Sequence, residues 1–160
     1  MLERRSLDLR SGVASPSETA IAVLLIGPSD SRGRTLRNMF APPDWEIREA
    51  CSWGEAAAIL DTRHIGVTIC DAELQDGNWQ ALLADLQNRA DPPSLIVSSR
   101  LADERLWAEV LNLGGYDVLV QPFDRAEVLR VARMAWASWR QRCQSWTAGP
   151  VAGFQMQAAS

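Results

Sequence analysis

The chain contains no lysine: all 16 of its basic residues are arginines, so no side chain can serve as a compact ammonium charge. It has a single histidine, His64, and three cysteines, Cys51, Cys70 and Cys143, widely spaced and without a CxxC pair. Neither a disulfide framework nor a zinc site follows from that set, and no nucleophile–histidine pair stands out. There is no G-x-G-x-x-G and no Walker lysine, which argues against a nucleotide or flavin site. No long apolar run offers a signal peptide or membrane span. The net charge is −4 and the arginines are scattered, so no basic face for a nucleic-acid backbone is evident. These absences point to a cytoplasmic protein with neither nucleic acid nor membrane as a partner, its cysteines acting as small buried apolar residues.

What is present fits one domain, since 160 residues can bury one substantial core. Residues 1–20 and 147–160 read as flexible tails around a domain at 21–146. Within it, short aliphatic runs alternate with amphipathic stretches five times, the pattern of βα units around a parallel sheet. Strands are expected at Ile21 to Ile26, Trp45 to Ala50, Ile65 to Cys70, Leu95 to Ser98 and Val118 to Val120. Helices are expected at about Asp30 to Phe40, Gly54 to Asp61, Trp79 to Asn88, Ala102 to Leu113, and from Asp124 onward to about Trp146. Ser52 with Glu55, and Asp124 with Glu127, have the capping-box spacing. In open α/β sheets functional groups gather at the carboxyl ends of the strands, which here carry Gly27, Pro28, Ser29, Asp30, Asp71, Ser98, Ser99 and Gln121.

Three segments in register resemble the CheY-like receiver domain of response regulators, over about Ile21 to Arg140. ICDAELQDGNWQALL is similar to the acceptor strand and its loop, LIVSSR to the fourth strand, and LNLGGYDVLVQPFDRAEVL to the run that carries the receivers' Lys-Pro through a cis prolyl bond. The resemblance implies an α/β fold with a doubly wound five-stranded parallel sheet of flavodoxin-like order 2-1-3-4-5, five helices and three layers. It places Asp71 on the phosphoacceptor and Ser98, with Ser99 as fallback, on the residue that contacts the phosphoryl group. Gln121 falls where receivers have lysine. Gly27 and Pro28 fall on the acidic pair that holds Mg²⁺, with Asp30 nearby as a possible substitute acid, and Val118 falls on the aromatic switch position, Tyr116 lying on the other face.

The implied site keeps its acceptor and lacks its positive charge. A metal would depend on Asp71, so Mg²⁺ binding is expected to be weak or absent, with no other cofactor. Gln121 can offer only a hydrogen bond from its amide. The plainer alternative for Asp71 is a strand-end carboxylate that caps its loop, and the register favours a former or residual acceptor over it.

The last helix carries Val128, Ala132, Ala135, Trp139, Cys143 and Trp146 at three- and four-residue steps, more apolar stripe than a sheet needs. Trp107, Val118, Trp136, Trp139 and Trp146 are therefore candidates for a partner surface on the fourth helix, fifth strand and fifth helix. That surface would meet a histidine kinase, another signalling protein or a second copy. The expected function is a stand-alone, non-enzymatic receiver-type signalling domain of a two-component or phosphorelay system, with phosphorylation at Asp71 weak or lost. The alternatives are a working phosphoacceptor served by a histidine kinase, and a flavodoxin-like cofactor-binding protein.

Overall fold

A computed structural model describes residues 20–28, 30–74 and 77–148, with the side chains of Glu73 and of 145–148 outside the description. The expected tails lie outside these residues, apart from Ala20, which is buried, and Thr147 and Ala148, which close the last helix. The sheet strands are β1 (Ile21–Ile26), β2 (Trp45–Ala50), β3 (Val67–Asp71), β4 (Ser94–Ser99) and β5 (Asp117–Val120). The helices are α1 (Ser31–Asn38), α2 (Trp53–Thr62), α3 (Trp79–Gln87), α4 (Glu104–Leu113) and α5 (Arg125–Ala148). All strand pairs in the sheet are parallel and the order is β2-β1-β3-β4-β5, the doubly wound arrangement expected. A two-residue antiparallel pair, Glu73–Leu74 with Gly77–Asn78, follows β3 where a plain loop was expected. Asp76 lies outside the described residues.

The inner strands are apolar on both faces because helices cover both. Val23, Leu25, Val67, Ile69, Ile96 and Leu119 pack under α1 and α5, while Leu24, Ile26, Cys70, Leu95 and Val97 pack under α2, α3 and α4. Every helix opens on a side-chain cap: Asp30, Ser52, Asn78 and Asp103 accept backbone N–H bonds in the first turn, and Asp124 accepts from Glu127 N at 3.0 Å. The caps explain two shifted starts, since Asp30 and Asp103 stand outside the helices they begin. Gly114, at φ +105°, ends α4 in the left-handed conformation that favours glycine.

The long α5 is used by the domain itself. Trp139 is only 8% exposed, and its ring lies over Gly66, where an added Cβ would come within 2.7 Å of Trp139 Cε3 and 3.0 Å of Trp136 Cδ1. His64, otherwise exposed as expected, sets its imidazole edge-to-face with Trp139 at 5.0 Å between ring centres. Ser94 Oγ donates to Ala135 O at 2.9 Å, and Arg142 Nη2 donates to Pro92 O at 3.1 Å, pinning the helix across the amino end of β4. Trp139 is therefore taken up by its own fold rather than offered to a partner, and half-buried Trp136 packs beside it under the Arg140 guanidinium. The cysteines also divide: Cys70 is buried as expected, but Cys51 is exposed and Cys143 half-buried.

Because both indoles are fixed, Gly66→Ala is expected to overpack this contact and lower stability by about 1–3 kcal/mol. In a Trp139→Ala background the same substitution should cost far less, the non-additivity reporting the contact. Denaturant midpoints of the two single variants and the double variant check this.

Candidate functional site

The parallel order brings the carboxyl ends of β1, β3, β4 and β5 side by side, so residues far apart in sequence line one cleft of about 100 Å³. Gly27, Pro28, Asp30, Arg32, Asp71 and Gln121 form much of its wall, with Ser98 behind. Asp71 is the last residue of β3 and pairs in register with Ser98 of β4. Ala72 N donates to Ser98 O at 2.8 Å, carrying the ladder one step past Asp71 and fixing where its carboxylate points.

Gln121 is the hub. It is 7% exposed, and its Nε2 donates to Asp71 Oδ2 at 3.5 Å and to Ser98 Oγ at 3.4 Å. Its backbone N–H bonds Ser99 O at 3.0 Å, and the Gln121–Pro122 bond is cis. Ser98 thus meets the Asp71 network, whereas the Ser99 hydroxyl accepts Leu101 N at 3.0 Å and holds the following turn.

The expectation that the site lacks positive charge is corrected by Arg32. From the first turn of α1 its guanidinium reaches both carboxylates: Nη2 and Nε donate to Asp30 Oδ2 at 2.9 and 3.1 Å, and Nη1 lies 3.9 Å from Asp71 Oδ2. The same Nη1 donates to Gln121 Oε1 at 3.5 Å. In the sequence Arg32 is one of several scattered arginines and does not stand out. The available signal was its place two residues after an N-capping aspartate at a strand end, where the turn of the helix aims it at the sheet.

Asp30 is not available as a substitute acid. Its Oδ1 accepts Arg32 N at 3.0 Å and Gly33 N at 3.1 Å, and its Oδ2 is bonded to the Arg32 guanidinium. The Gly33 N–H, and then the Arg32 side chain, hold its carboxyl below the ordinary value of 3.8. A divalent ion such as Mg²⁺ requires several oxygen ligands in near-octahedral order. Gly27 and Pro28 carry no side-chain oxygen, and among the described residues no group of three His, Cys, Asp or Glu is placed to hold a metal. The residues present do not fit a divalent ion.

A family model described as the response regulator receiver domain matches residues 23–133. The chain belongs to the response regulator receiver family. Solved receivers of low identity share its fold. The signal receiver domain of an HD domain-containing protein from Pseudomonas fluorescens Pf-5 is 23% identical, with a TM-score of 0.68 over 76% of this chain and 98% of that one. The chemotaxis response regulator CheY4 of Vibrio cholerae is 17% identical, with a TM-score of 0.66 over 73% and 99%. The beryllofluoride-activated NtrC4 receiver domain, solved as a dimer, is also 17% identical, with a TM-score of 0.67 over 74% and 98%. No curated relative matches the sequence.

Within this receiver, Val118 packs half-buried toward the α2, α3 and α4 face, while Tyr116, which stands before the first residue of β5 and outside its alternation, packs toward the α1 and α5 face. Trp107 is 50% exposed and donates from Nε1 to Asp117 Oδ1 at 3.2 Å, and Val120 and Leu101 are exposed nearby. Trp146 lies on α5, and its side chain is outside the described residues. No described helix is long and apolar enough to cross a membrane.

Asp30 yields a pH prediction whose sign follows from its lowered pKa. The stability given by its charge is fully present above 3.8 and is lost as pH falls through the depressed folded value. Asp30→Asn keeps a good N-cap but removes the charge. Its Tm should lie below that of the unaltered protein by a constant gap above pH 3.8, closing at more acidic pH, as thermal melts across a pH series will read.

Proposed function

We propose that this receiver works as a signalling module through protein contacts, with phosphorylation at Asp71 weak or lost. The observation that carries the reading is the environment of Asp71: its carboxylate faces Arg32 and Gln121, while the positions that the family resemblance assigns to metal-holding acids are Gly27 and Pro28. Moving a phosphoryl group onto a carboxylate concentrates negative charge, and enzymes and receivers meet that demand with a metal or a preorganised cation. Here the nearby cation is already engaged by two carboxylates and an amide oxygen. Asp71 serves on this reading as a retained acceptor-like residue, Ser98 and Gln121 as its hydrogen-bonded neighbours, and none as a catalytic group of an enzyme.

The partner surface we assign to the exposed side of α4, β5 and the start of α5, where Trp107, Val120 and Leu101 leave apolar area in water. A histidine kinase, another signalling protein or a second copy of the chain would meet it there, in the cytoplasm. The domain spans 21–146 on this reading.

A second reading keeps phosphorylation, and the convergence of Asp71, Ser98 and Gln121 within 3.5 Å favours it to that extent. The cofactor-binder reading has no such support, since a cleft of about 100 Å³ is well below the size that takes a flavin. Incubation with acetyl phosphate and Mg²⁺, followed by intact-mass measurement, separates the first two. The unaltered mass is expected throughout. An added phosphoryl mass that disappears in Asp71→Ala overturns the proposal.

A further inference from the structure

We infer that Arg32 is a tethered cation that takes the place of the divalent ion at the acceptor site and keeps such an ion out. The inference deepens the proposed function and rests on it, naming what holds the site in its metal-free state.

The geometry supplies the argument. A divalent ion in a carboxylate site neutralises converging negative charge and fixes the oxygens around itself. The guanidinium of Arg32 does both here with protein atoms alone. Its Nη2 and Nε fork onto Asp30 Oδ2, and its Nη1 reaches toward Asp71 Oδ2 and Gln121 Oε1. A planar, permanently charged group with several donors suits this bridging task, as a lysine would not.

Its position is set twice over. Asp30 Oδ1 caps α1 through the N–H groups of Arg32 and Gly33, so the carboxylate that grips the guanidinium is itself locked to the helix start. Gly33 sits close enough to the chain before the helix that a Cβ would come within 2.9 Å of Pro28 O, which keeps this turn tight against the end of β1. The Asp71 side chain is 17% exposed, so a charge placed beside it is only partly screened by water.

Two consequences separate this role from that of an ordinary surface arginine. Restoring an acid at the strand end should not by itself restore a metal site, because the incoming ion must displace a cation already paired. Removing the guanidinium should uncover Asp30 Oδ2, whose Oδ1 stays on the helix cap, and should take the paired cation away from Asp71.

The test uses the full chain and thermal melts with and without roughly ten millimolar Mg²⁺, repeated with Mn²⁺. The variants are Pro28→Asp, Arg32→Met and their combination; methionine keeps an apolar stem in place of the arginine's. We expect no metal-dependent change in Tm for the unaltered protein or for Pro28→Asp alone, and a rise of about 3 °C or more for the double variant, as a millimolar site would give. Circular dichroism before each melt establishes that each variant is folded, and Arg32→Gln replaces Arg32→Met if that protein is not.

Equal responses of Pro28→Asp and the double variant would overturn the inference, since Arg32 would then obstruct nothing. So would a folded double variant with no response, which would leave the proposed function standing. A clear rise for the unaltered protein would instead contradict the proposed function itself.

Discussion

A carboxylate at the end of a central parallel strand sits where water reaches only one side of it, and its charge has to be balanced within a few ångströms. In this chain, without lysine and with Gly27 and Pro28 at the strand end, an arginine in the first turn of the adjacent helix places its guanidinium beside that charge. The other features of the site depend on that pairing. Asp30 is consumed as cap and as anchor of the guanidinium, Gln121 turns its amide so that oxygen meets arginine and nitrogen meets aspartate, and Ser98 closes the network from β4. The hydrogen-bond polarity of the Gln121 amide is therefore dictated by its neighbours, donor toward the anion and acceptor toward the cation.

The two ends of the sheet have different tasks. At the carboxyl end the strands leave a small polar cleft around Asp71. At the amino end, α5 runs past β4 and covers the sheet with Trp139, held by the absence of a side chain at Gly66 and by the Ser94 and Arg142 hydrogen bonds. The apolar surplus along this helix is spent mostly inside the domain, which shifts the weight of the proposed partner surface from the C-terminal tryptophans toward Trp107 and Val120.

The fold was largely legible in the sequence because its determinants are local or periodic. Strands such as IAVLLI are apolar on both faces, helices open at Asp30, Ser52, Asn78, Asp103 and Asp124, and Gly114 and Pro122 punctuate the last unit. The site was half legible. Asp71, Ser98 and Gln121 could be placed from strand ends and from a resemblance, but the partner of Asp71 could not, because Arg32 and Asp71 are 39 positions apart and meet only through the crossover of β1 and β3. The use of Trp139 escaped for a related reason. What receives its ring is a glycine in another segment, and a missing Cβ leaves no periodic mark.

Whether Arg32 and Asp71 share their charge is read by a double-mutant cycle on stability. Arg32→Met, Asp71→Asn and the double variant are unfolded in denaturant at low and at high salt. The account predicts a coupling of about 0.5–1 kcal/mol at low salt that shrinks as salt is added, the scale of a partly exposed ion pair. Single effects that simply add, with no coupling at either salt concentration, would contradict it.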